Sequence, residues 1–128
     1  MAKAAGKNRM DSFLSLVVGG AAGFGLVVLT SRAWRDCDVT INSIGNGPTL
    51  LFVGVPVAGV VNIVLFSVVY RTSRSTKGGK FLMPFLAAAI AITIADLALF
   101  SWAGTPAGSP ASLCPANVPP WWPTWIPT

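Results

Sequence analysis

Few side chains in this sequence are equipped for chemistry. There is no histidine, and nine Lys and Arg face only four acids, all of them aspartate. Metal sites built on imidazole and histidine-based acid–base or nucleophilic catalysis are therefore excluded. The remaining candidates are two thiols, Cys37 and Cys114, one acid in an apolar run, Asp96, the polar Asn62 and Thr93 in similar runs, and three clustered tryptophans, Trp121, Trp122 and Trp125. The thiols are not in a C-x-x-C pair, so a thioredoxin-like redox centre is not expected. Asp36 and Asp38 flank Cys37, but two carboxylates are too few for a closed calcium site. Pairing with Arg32 and Arg35 is the expectation for them. No phosphate-cradling glycine loop, Ser or Cys nucleophile constellation or haem motif is present. These residues imply no enzyme, no cofactor and no metal.

The elements that must position them are long apolar blocks. Apolar residues make up 53% of the chain and charged ones 10%, against about 25% charged in soluble domains. Residues 12–29 and 50–70 carry no charge, and residues 82–103 carry only Asp96. A helix crossing a hydrocarbon core of ~30 Å needs about 20 residues, so each block has spanning length. The expected fold is an all-α membrane protein with three transmembrane helices. Residues 1–11 form a basic N-terminus, 30–49 and 71–81 the two loops, and 104–128 a tail. The segment after the first block, TSRAWRD, lacks a small-x-small cleavage site, so the first helix is expected to be retained.

Lys3, Lys7 and Arg9 precede the first block, and Arg71, Arg74, Lys77 and Lys80 lie between the second and third. These segments fall on one side of a membrane; Arg32 and Arg35 are on the other, beside Asp36 and Asp38. The positive-inside rule then makes the N-terminus cytoplasmic and the C-terminus external. The basic residues are read as topology signals and lipid-headgroup contacts, not as a nucleic-acid surface. Both cysteines fall on the oxidising side, one in the loop and one in the tail. A Cys37–Cys114 disulfide is expected, worth on the order of 4 kcal/mol by the chain-entropy account.

The tail, AGTPAGSPASLCPANVPPWWPTWIPT, holds seven of the ten prolines and three of the five tryptophans. Proline rules out a regular helix or central strand, so an extended, partly polyproline II segment is expected. Tryptophan rings favour a headgroup layer or a protein interface, which makes Trp121, Trp122 and Trp125 candidates for docking to lipid or to a partner. In the loop, Asn46-Gly47-Pro48 reads as a turn, and residues 39–41 as a short strand.

Within the apolar blocks, small residues recur every four positions. Ser15, Gly19 and Gly23 form one row in the first and Ala21 and Gly25 a second. Gly54, Ala58 and Asn62 form a row in the second block, and Ala87, Ala91 and Ala95 one in the third. Such rows let helices approach closely in a membrane. Small residues on two faces of the first helix exceed what one neighbour requires. Asp96 lies about 21 Å along the third helix from Leu82 at 1.5 Å per residue. No span offers a cation to pair with it, and an intramembrane acid is a functional candidate by default. Pro56 frees the Phe52 carbonyl, and a neutral Asp96 at similar depth is one group able to donate to it. Depth also pairs Asn62 with Thr93.

In its Ala, Gly, Pro and Trp usage and its two external cysteines, the chain resembles small membrane proteins of high-GC Gram-positive bacteria. Some of these are accessory subunits of respiratory cytochrome bcc–oxidase supercomplexes. The resemblance implies a multi-pass protein of the bacterial plasma membrane that serves as a non-catalytic subunit of a larger membrane complex. Two other readings use the same residues: a small oligomeric transporter or channel using Asp96, and a membrane immunity protein.

Overall fold

A computed structural model of the chain describes residues 2–39, 46–76, 81–106 and 112–127. Helix α1 runs Ala2–Asp36. A second rod starts as α2 (Asn46–Thr49), widens into a π-helical turn (Leu50–Gly54) and continues as α3 (Val55–Thr76). A third rod is α4 (Leu82–Leu99) with a terminal π-helical turn, Phe100–Gly104. Three stretches, Arg9–Asp36, Gly47–Ser75 and Leu82–Gly104, are long and apolar enough to cross a membrane. No strand occurs among the described residues. Val39 is not in one, and residues 40 and 41 of the expected strand lie outside them.

The first two rods extend beyond their apolar blocks into flanking polar residues, which continue the same hydrogen-bond ladder, while the third matches its block to within one residue. The expected turn at Asn46-Gly47-Pro48 is instead the first turn of the second rod. Proline is favoured there, where its missing N–H has no helical partner to lose. The π-helical turn just before Pro56 has a physical cause. In a regular helix the proline ring meets the carbonyl four residues back. Widening the turn shifts the carbonyls, and the Val55 N–H bonds the Leu50 carbonyl. At the far end of α1, Asp38 adopts a left-handed conformation (φ 53°) and the Val39 N–H bonds the Trp34 carbonyl at 2.9 Å. This is the closing geometry of a helix C-terminus.

The rods form a row with α3 in the middle. It packs along both α1 and α4, while α1 and α4 touch only lightly. One core joins Phe66 and Tyr70 of α3 to Ala88 and Ile92 of α4, with Leu14, Val18 and Ala22 of α1 against it. The fully covered row of α4 is Pro84, Ala88 and Ile92, one position on from Ala87, Ala91 and Ala95, which are half-buried at its edge. The Phe66 ring stands edge-on to Phe85 at 5.8 Å between centroids and shares its core with the small Ala88.

Candidate functional site

The seam between α1 and α3 is built on the Ser15–Gly19–Gly23 row. A Cβ on Gly19 would lie 2.6 Å from the Ile63 Cα, and one on Gly23 would lie 2.6 Å from the Gly59 nitrogen. No side chain fits at either position, so the backbones are in contact, as dispersion-driven packing between apolar helices requires. Ser15 is buried and donates to the Asp11 carbonyl at 2.8 Å, which satisfies its hydroxyl within its own helix. Across the seam stand Ala58 and Asn62, both buried, with Gly54 half-buried at its end.

Asn62 is fully enclosed, and it links the seam to α4. Its amide nitrogen donates to the Ala58 carbonyl at 3.0 Å and to Asp96 Oδ1 at 2.8 Å. Its Oδ1 has no hydrogen-bond partner among the described residues. Asp96 is thus paired with Asn62 and not with the Phe52 carbonyl. It continues the buried row Pro84–Ala88–Ile92 by one further turn, which aims it at α3. Thr93 does not meet Asn62. It lies 100° or so round the helix from that row, is exposed, and donates to the Ala89 carbonyl at 2.8 Å.

At one end of the row Cys37 and Cys114 form a disulfide, with 5.5 Å between their Cα atoms. The tail folds over this end in successive turns instead of running extended. The Trp122 N–H bonds the Pro119 carbonyl at 2.9 Å, with Pro120 at the turn position that favours proline, and the Ile126 N–H bonds the Pro123 carbonyl at 3.1 Å. The three tryptophans take different roles. Trp122 is buried, its ring 4.4 Å from that of Phe100, in a cluster with Ala33. Trp121 donates its indole N–H to Asp36 Oδ2 at 2.8 Å. Trp125 is 80% exposed, as is Trp102 at 84%. Trp34 also closes this end by donating to the Gly104 carbonyl at 3.0 Å. Gly104 is needed there, since a Cβ would fall 2.7 Å from the Phe100 ring. The expected pairing of Arg32 and Arg35 with Asp36 and Asp38 is not found: Asp36 is engaged by Trp121, and none of the four is in an ion pair with another described residue.

The opposite end carries an ion pair that sequence reasoning missed. Arg74 of α3 meets Asp11 of α1 at 2.6 Å and the Tyr70 hydroxyl at 3.3 Å, and Arg71 donates to Ser12 at 3.3 Å. An acid and a base at the same end of two adjacent apolar blocks were the available signal. Lys3, Lys7, Lys77 and Lys80 lie outside what can be described of side chains. Among the described residues no three His, Cys, Asp or Glu side chains come together.

No protein-family model, curated protein or solved structure matches this chain. Its functional reading rests on its own residues.

Proposed function

We propose that the chain is a non-catalytic accessory subunit of a larger complex in a bacterial plasma membrane, of the kind found in respiratory assemblies. In this reading the protein spans the membrane three times, with its N-terminus cytoplasmic and its C-terminus external. The excess of Lys and Arg at the Arg74 end supports the orientation, and so does the disulfide at the other end, since disulfides persist in oxidising compartments.

The observation that carries the functional reading is the second small-residue face of α1. Its first face is consumed by α3. Its second, Ala21 and Gly25, is exposed, and a Cβ on Gly25 would meet nothing within 4 Å. Helices in a membrane associate through such faces, and among the described residues no element of this chain covers this one. A row of three helices also lacks a central lumen, which argues for a docking role over a self-contained transport path. Trp102 and Trp125 extend the docking surface to the external end, where exposed aromatic rings suit a protein interface or the headgroup layer.

The test is migration on a native gel. The tagged full chain, solubilised in mild detergent from the membranes of its own cell, should run with a complex far larger than 13.3 kDa. Migration as a lone chain in the detergents that preserve other membrane complexes would overturn the proposal.

A further inference from the structure

A cleft of about 240 Å³ opens between α1 and α4, where the two helices barely touch. It is lined by Ala22, Gly25, Leu26 and Leu29 on one side and by Thr93, Asp96 and Leu97 on the other. Its small-residue wall would let a further helix approach closely, because Gly25 has open space where a side chain would stand. Its opposite wall presents a carboxyl group. Asp96 is half-buried, and among the described residues Asn62 is its one side-chain partner, through Oδ1. Asn62 itself is fully enclosed behind the acid and does not line the cleft. Among its lining residues the cleft therefore presents one carboxyl group and no cation. Residues 12–29, 50–70 and 82–103 contain no Lys, Arg or His.

We propose that this cleft receives a transmembrane helix of another protein, and that the helix presents a lysine side chain to Asp96. Charge complementarity selects this occupant. An acid in a low-dielectric region is costly when unpaired, and intramembrane acids characteristically pair with a base. A second copy of this chain does not fit, since its own spans carry no base to offer. A lipid chain would fill the volume and leave the Asp96 carboxyl unanswered. Lysine suits the site better than arginine: a compact ammonium on a flexible stem reaches into a small cleft without a planar fork to accommodate.

The proposal rests on the docking-subunit reading, and one experiment separates the two. The full chain is reconstituted in phosphatidylcholine bilayers with a labelled Leu/Ala host helix bearing a single lysine at the depth of Asp96, and with the same helix bearing leucine there. Association is read by energy transfer. The lysine helix should associate on the order of tenfold more tightly than the leucine helix, the scale of one good polar contact in a membrane. In Asp96→Asn the preference should fall to about one, in a chain that still folds because asparagine can accept from Asn62. Gly25→Leu should weaken both helices by filling the cleft. Equal binding of the two helices to the native chain, or a lysine preference that survives Asp96→Asn, overturns the proposal. If Asp96→Asn and Gly25→Leu both leave native-gel migration in the large complex unchanged, the subunit reading stands and this cleft is not its interface. If the lysine preference is found but the chain migrates alone, the cleft stands and the subunit reading falls.

Discussion

Trp122 and Trp125 differ by three positions and by almost everything physical. Trp122 is 6% exposed and lies tilted against the Phe100 ring, whereas Trp125 projects from the surface. Trp122→Ala should cost about 3–5 kcal/mol, the usual range for emptying a buried tryptophan site. Trp125→Ala should change stability by no more than about 0.5 kcal/mol, as an exposed position does. Thermal unfolding in detergent measures both, and equal losses would contradict this assignment of the rings. Read from the sequence, all three rings go to lipid or a partner, whereas Trp122 and Trp121 engage Phe100 and Asp36 of this chain and Trp125 is left exposed. Which ring docks inward was not legible there, because that depends on where the disulfide and the turns at Pro119 and Pro123 place each side chain. The same holds for Asp96. Its isolation in an apolar helix was visible, but its partner was not. Asn62 is its partner because α4 is rotated so that the row Pro84–Ala88–Ile92, which Asp96 continues, is buried, and an apolar helix does not state that rotation in its sequence.

At the scale of the helices, two glycines two positions apart make opposite claims. A Cβ at Gly23 would lie within 2.7 Å of three backbone atoms of α3, while one at Gly25 meets open space. Gly23→Val should force α1 from α3 and destabilise the chain by about 1–3 kcal/mol, as overpacking does. Gly25→Val should leave the melting temperature of the isolated protein unchanged. Equal effects would mean that the seam is not where the Ser15–Gly19–Gly23 row puts it. This seam was the most legible part of the fold, because a four-residue repeat of small residues states both the face and the closeness of contact. The row on α4 was legible only to within one position. Alanines occur at Ala87, Ala88, Ala89, Ala91 and Ala95, so composition does not select among adjacent stripes. The π-helical turn before Pro56 has a visible cause in the sequence; the one at Phe100–Gly104, which meets Thr30 and Trp34 of α1, has none.

For the molecule as a whole, the disulfide ties the tail to the end of α1 across 77 positions of sequence. Intact mass should fall two units below that of the reduced chain, and either Cys→Ser variant should abolish the difference. In intact cells, Cys114 freed by Cys37→Ser should react with an impermeant thiol reagent. Labelling that appears only after lysis would reverse the orientation and place the Trp125 surface inside. The three helices of spanning length were readable from hydropathy alone. The identity of any partner is not readable in this way, since an interface with another chain leaves in this one only a face without a neighbour. That unfilled face underlies the proposed docking role, and native mass spectrometry of gently solubilised membranes addresses it most directly. A docking subunit should give a species in which this 13.3 kDa chain is present at a fixed ratio to larger membrane subunits. A spectrum showing the chain only by itself, or only in multiples of its own mass, would contradict that role.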